Sequence, residues 1–98
     1  MNKGLQSLSL ARKAGLLALG FLKSKEAIGK KKAFLIIVAS DVSAKSEKEI
    51  RFFAKSEVEV LRIDSTMEEL SGAIGFNAGI VAVCDNGFAG AIKKHYNI

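Results

Sequence analysis

Apolar residues recur along this chain in two alternating rhythms. From Asn2 to Ala14 the spacing is helical, with Leu5, Leu8, Ala11 and Ala14 on one arc. Arg12 and Lys13 fall toward its end, where cations suit the helix dipole, and Gly15 is the natural stop. Leu16–Leu19 predicts a short strand ended by Gly20, and Phe21–Ile28 predicts a second helix closed by Gly29 and the run Lys30-Lys31-Lys32. Phe34–Ala39 is an unbroken apolar run rich in β-branched residues, the pattern of a strand covered on both faces. Asp41 and Ser43 can cap a third helix, Ala44–Ser56, with Ile50, Phe53 and Ala54 expected on its inward face. Glu47 precedes Arg51 by four residues, the favourable order for an ion pair on a helix. Val58–Ile63 predicts a third strand. Ser65 and Thr66, followed three residues later by Glu68 and Glu69, make a capping box before a short helix that turns Met67, Leu70 and Ile74 inward. Gly79–Cys84 predicts the last strand. Asp85-Asn86-Gly87 predicts a turn into a final helix with Phe88, Ala91, Ile92 and Tyr96 on one face.

Strict alternation of helices and strands predicts an α/β fold, a three-layer α/β/α sandwich around a central four-stranded mixed sheet. At 98 residues the chain is expected to form a single domain spanning residues 1–98. A hydrophobic share of 49% with 26% charged residues is globular and excludes intrinsic disorder. The single cysteine, Cys84, leaves no disulfide framework within the chain, and the cytoplasm is the expected compartment. The longest apolar runs fall far short of the ~20 residues of a membrane helix, and Arg12 and Lys13 interrupt the region where a secretory signal would need its apolar core, so no membrane association is expected.

Charge adds a direction. The net charge is +5, but residues 1–32 hold eight basic residues against Glu26 alone, a net of +7, and residues 33–98 hold seven basic and nine acidic residues, a net of −2. An excess confined to one third of the chain points to a polyanionic partner. A helix opening directly after Gly20 offers free N–H groups and a positive dipole end, with Lys23, Lys25 and Lys30–Lys32 expected to surround it. The plainer alternative is a solvated lysine-rich face. The glycine string Gly72, Gly75, Gly79 follows a helix and precedes a strand, the reverse of a dinucleotide fingerprint. It predicts a helix cap and a tight loop in which Phe76 either stacks on an unpaired base or tucks into the core.

Catalytic chemistry finds no constellation. His95, the only histidine, reads as a surface helix residue, Cys84 reads as a small buried hydrophobe, and nothing completes a triad, a metal site or a pair of acid–base carboxylates. No enzyme activity, no cofactor and no metal are expected.

The series Leu8-Ser-Leu-Ala-Arg-Lys-Ala-Gly15, Gly20, Ala27-Ile28 and Ala39-Ser-Asp-Val-Ser43, followed by Met67-Glu-Glu-Leu70, Gly75 and the apolar strand to Val83, resembles the ribosomal protein L-seven-Ae / L-thirty-e / S-twelve-e family, in its small bacterial ribosomal-protein-like branch. The resemblance spans nearly the whole chain. It implies an RNA-binding domain that grips a kinked RNA helix, the kink-turn, by its tandem sheared G·A pairs. The family pattern Gly-x-(Asn/Lys)-(Glu/Gln)-x-x-Lys then falls on Gly20-Phe21-Leu22-Lys23-Ser24-Lys25-Glu26, and the family's second contact, an apolar loop, falls on Phe76-Asn77-Ala78. Gly20 matches. Leu22 stands where an amide or amine would read a base, Lys23 stands where an acceptor would, and Glu26 takes the lysine position. A lysine only donates, so it cannot replace a group that accepts from guanine N–H. The expected RNA-binding set therefore comprises Arg12 and Lys13, Gly20 to Lys23, Lys25 and Glu26, Lys30, Lys31 and Lys32, and Phe76 to Ala78. The resemblance implies structured RNA, ribosomal or kink-turn, as the partner, with the ribosome as a further one and a monomer expected over a homodimer. The competing reading is a protein-interaction or ribosome-assembly adaptor that keeps the fold without the specific readout, suggested by the apolar pair Phe21-Leu22.

Overall fold

The computed structural model describes residues 2–98. Five helices and four strands alternate as α1 (Lys3–Lys13), β1 (Leu17–Leu19), α2 (Phe21–Gly29), β2 (Leu35–Val38), α3 (Ala44–Ala54), β3 (Glu59–Arg62), α4 (Met67–Ile74), β4 (Ile80–Val83) and α5 (Asn86–His95). The strands form one mixed sheet in the order β1-β4-β2-β3, with β2 and β3 parallel and β4 antiparallel to both of its neighbours. The two unbroken apolar runs supply the central strands, and every residue of β2 and β4 is buried. The edge strands are weaker: β3 exposes Glu59 and Arg62, the charged ends that discourage pairing with another sheet.

Helices α1, α4 and α5 pack together on one face of the sheet, and α2 with α3 on the other. The expected three-layer α/β/α sandwich is therefore the fold. Its core joins Leu5 and Leu8 of α1, Ile28 of α2, Ile50 of α3, Leu70 of α4 and Ile92 of α5 to the central strands.

Several local expectations shift. Phe53 and Met67 are 40% and 37% exposed, so neither belongs to the buried core. On α5 the buried small residue is Ala89, and Ala91 faces solvent, because the helix begins at Asn86, immediately after its cap. Asn86 and Gly87 are its first turn rather than a loop: Asp85 accepts from the Phe88 N–H at 2.8 Å. Ala14 is exposed as the last cap of α1, and Gly15 takes the left-handed φ of +75° that ends the helix. Ser43 alone caps α3, while the Asp41 carboxylate accepts from Met67 N–H at the start of α4. Thr66 and Glu69 form the capping box in both directions.

α2 ends at Gly29 and the lysine run follows, as expected, but the left-handed residue after it is Lys31, φ 59°. At the end of α3, Lys55 takes φ 53° and ψ −134°. Each lysine sits in a region where L-residues lie about 1–2 kcal/mol above glycine.

Candidate functional site

The strand register sets two ends to the sheet. At one end Ile80 pairs with Val38, Gly20 N–H donates to the Ile80 carbonyl at 2.9 Å, and Ala39 N–H donates to the Gly79 carbonyl at 2.9 Å. An open groove of ≈ 440 Å³ lies here, with Gly20, Phe21, Ser43, Met67, Asn77 and Gly79 among its walls. Three helix N-termini reach it: α2 through Phe21, α3 through Ser43 and α4 through Met67.

These N-termini differ in one respect. Ser43 accepts from Ser46 N–H, and Thr66 with Asp41 occupies the first N–H groups of α4. Gly20 has no side chain to cap α2, so the N–H groups of its first turn point outward unclaimed by any cap. The groove rim thus has one helix end open to an anion. Gly20 itself adopts φ 95° and ψ 171°, a conformation essentially reserved for glycine, with open space where a Cβ would be. Gly20→Ala is accordingly expected to destabilise the fold by about 1–3 kcal/mol through backbone strain alone, measurable by urea unfolding.

The opposite wall is the loop Gly75–Gly79. Gly75 closes α4 at φ 68°, as the glycine string implied. Ser71 then braces the loop, its hydroxyl accepting from Ala78 N–H at 3.1 Å and lying 3.2 Å from the Ala78 carbonyl. Ala78 is buried and shapes the loop from within, whereas Phe76 is 46% exposed, so the core placement of its ring does not hold.

Along α2, Leu22 is 75% exposed. Phe21 is only partly exposed and packs against the core, so the apolar pair reduces to Leu22 standing alone. Lys25 lies with its ammonium 5.4 Å from the Phe21 ring centroid. Glu26 binds Lys30 at 2.8 Å and lies 3.9 Å from Lys23. The hydrogen bond and charge of Lys30, with Lys23 beside it, hold the Glu26 carboxyl below the usual carboxylate range. The exchanged charges of this stretch therefore remain paired on the helix surface.

The rest of the basic set lies elsewhere. Val83, at the far end of β4, pairs with Leu17 and Leu35; Cys84 N–H donates to Leu16 and Phe34 N–H to Val83. Arg12 and Lys13, at the end of α1, and Lys30–Lys32, beyond α2, belong to that end. They do not surround the start of α2. Sequence spacing concealed this because a nine-residue helix separates its two ends by about 13 Å.

The expected Glu47–Arg51 pair forms, and a residue that the sequence did not single out, Arg62, joins it beside the groove. Glu47 on α3 accepts from Arg51 at 2.9 Å and Arg62 at 2.5 Å, and Arg62 also donates to the Ser40 carbonyl. This fastens the Ser40–Ser43 turn that leads into the groove wall. Burial would raise the Glu47 carboxyl, but the two arginines outweigh it and hold it low. A depressed carboxyl stabilises the fold above its unfolded pKa and loses that contribution as pH falls through the folded value. Glu47→Gln is thus expected to lower stability by roughly 1 kcal/mol at neutral pH, with the difference from wild type shrinking below about pH 4 in parallel denaturant titrations.

Catalytic groups do not assemble. Burial pushes the Cys84 thiol up, away from thiolate reactivity, and His95 is exposed at the end of α5. Among the described residues no three His, Cys, Asp or Glu side chains group to hold a metal, and no helix is long and apolar enough to cross a membrane.

The fold is an α/β/α sandwich in which an uncapped helix start faces a braced glycine loop. The chain belongs to the ribosomal protein L7Ae/L30e/S12e/Gadd45 family, whose sequence profile matches residues 2–92. Among solved structures it is similar over its whole length to a Bacillus halodurans protein of unknown function, at 24% identity, 100% of both chains and a TM-score of 0.93. It is also similar to the Giardia lamblia 15.5kD RNA binding protein, at 13% identity, covering 95% of this chain and 81% of that one with a TM-score of 0.73. No curated protein sequence matches the chain significantly.

Proposed function

We propose that this chain is a non-catalytic RNA-binding protein that grips a structured, kinked RNA helix at the groove end of the sheet, in the setting of the ribosome or translation in a bacterial cytoplasm. The observation that carries the reading is the meeting of the uncapped start of α2 with Asn77 and Ala78 of the glycine loop on one groove, with Phe76 exposed next to them in the chain. Phosphate oxygens would accept from the free N–H groups after Gly20, with Lys23 and Lys25 beside them, and Phe76 would pack against an unstacked base. Family membership and the fold shared with an RNA binding protein support the same reading. Leu22 and Lys23 place no acceptor where sheared G·A pairs present N–H groups, so the grip on the backbone exceeds the readout of bases.

Binding to a kink-turn RNA and to a plain duplex across a salt series tests this. About three phosphate contacts predict a log–log slope near −2.5, or a roughly 30-fold loss of affinity between 50 and 200 mM salt. The kink-turn should be preferred by a modest factor. Absence of binding to both RNAs at low salt would end the proposal, and equal binding would remove the kink-turn component.

One observation favours the adaptor reading: Leu22 is the most exposed large apolar side chain of the described residues and lies on the first turn of α2. Sedimentation equilibrium with and without RNA separates the two. A tight homodimer indifferent to RNA and broken by Leu22→Asp supports the adaptor, whereas a monomer that shifts only with RNA supports the grip.

A further inference from the structure

The basic residues at the far end of the sheet are left unused by the groove. Near them, between the C-terminal ends of α2 and α3, lies a hollow of ≈ 320 Å³ lined by Gly29, Lys31, Phe52, Phe53, Lys55 and Glu57, with Ile28 at its base. We propose that this hollow is a second nucleic-acid contact, which seats an unpaired stretch of RNA by stacking a base on Phe52 and holding its phosphates with Lys31 and Lys55. It rests on the RNA-binding reading but concerns a different surface.

Three features of the hollow converge. Phe52 is 72% exposed, and its ring stands edge-to-face with Phe53 at 6.0 Å and 84°. Phe53 is itself clamped from its face by the Lys25 ammonium at 4.1 Å. Phe53 is thereby engaged and props Phe52, leaving the Phe52 ring as a platform open to a base.

The second feature is backbone. Lys31 and Lys55 are two of only three non-glycine residues with positive φ among the described residues, and both line this one hollow. Glycine relieves such a conformation at a helix end, and lysine does not. Both positions nonetheless keep a lysine, and both lysines line the hollow that Phe52 and Phe53 line.

Charge complementarity then selects the occupant. Two lysines, Lys31 and Lys55, stand against Glu57 at the hollow itself, and Lys25 adds a third positive charge over the Phe53 ring beside it. Arg12, Lys13, Lys30 and Lys32 belong to the same end of the sheet, where Lys30 is already paired with Glu26. A bare aromatic face among cations fits a nucleobase attached to phosphates, since every base offers a π-face and every linkage a charge. The start of α2 is one short helix away, so an unpaired strand leaving a helix held in the groove can reach the hollow.

The test compares one kink-turn RNA with and without a single-stranded tail of roughly eight uridines, by fluorescence anisotropy, together with 4-thiouridine crosslinking of the free tail. The tail is expected to raise affinity about tenfold, Phe52→Ala to abolish that gain while leaving untailed binding unchanged, and the tail to crosslink at Phe52 or Phe53. Lys55→Gly is expected to raise Tm by a few degrees yet diminish the tail's gain, a combination that a merely structural lysine would not produce. Untailed binding with no gain from the tail overturns this inference and leaves the groove intact. A tail that crosslinks to Phe52 while untailed RNA fails to bind upholds the hollow and removes the groove. A poly-glutamate peptide that binds the hollow where the uridine tail does not makes the occupant a protein and also overturns it.

Discussion

Gly79→Val is expected to lower stability by about 2–3 kcal/mol and to weaken RNA binding more than tenfold in the protein that remains folded. An ideal Cβ at this position meets Val42 Cγ2 and Met67 Cγ, each at 2.8 Å, inside the distance that real Cβ atoms keep. Met67 can swing outward, being partly exposed, but Val42 is buried and stiff about χ1. The backbone cannot retreat either, because the Gly79 carbonyl accepts from Ala39 N–H and ties the loop to the end of β2. The strain therefore passes into the groove, pushing the Phe76–Ala78 loop away from α2. Overpacking of this kind carries about 1–3 kcal/mol, and a valine brings more volume than an alanine would. Urea unfolding and RNA titration on the same sample check both halves, and an unchanged affinity would show that the loop takes no part in binding.

Ile37→Ala is expected to have the larger effect on stability, about 2–5 kcal/mol, and none on RNA affinity below the unfolding transition. Ile37 is fully buried at the middle of β2, opposite Leu61 of β3 and Val81 of β4. Truncation leaves a cavity between the central strands and a packed helical layer, where collapse is difficult. For a domain with roughly 5–15 kcal/mol in total, such a loss takes a large share, and Tm should fall by 10 °C or more by about 4–8 °C per kcal/mol. Thermal unfolding with anisotropy at low temperature separates this substitution from Gly79→Val: one weakens the scaffold and the other the groove.

Much of the architecture was readable because the strongest signals were local. The two unbroken β-branched runs became the two central strands, and the Thr66–Glu69 capping box closed as spaced. The end of α2 at Gly29 held, with Lys31 rather than the glycine taking the left-handed turn, whereas Asn86-Gly87 promised a turn that Asp85 converts into a helix. In both places a neighbouring side chain or cap decides, which composition alone does not reveal. The site divides in the same way. Gly20 and the Phe76–Ala78 loop were legible as motifs, and Gly20 meets Asn77 and Ala78 of that loop at one end of the sheet. The lysines were legible only as a sum. That Lys23 lies on the first turn of α2, Lys25 over the Phe21 and Phe53 rings and Lys30–Lys32 at the other end is a property of helix length and strand direction. Ser71 and Arg62 were missed, and Glu47 was read only as the helical partner of Arg51, because the bracing contacts are long-range or loop hydrogen bonds with no periodic signature.

The two ends of the sheet make the central claim open to a direct measurement. Amide chemical shifts of the labelled protein, followed while an untailed kink-turn RNA is added, report which surface it covers. The predicted result is a set of perturbations concentrated at Gly20–Lys23, Ser43–Ser46 and Phe76–Gly79, with Lys30–Lys32 and Phe52 little changed. Perturbations confined to Arg12, Lys13 and Lys30–Lys32, with the groove silent, would contradict it.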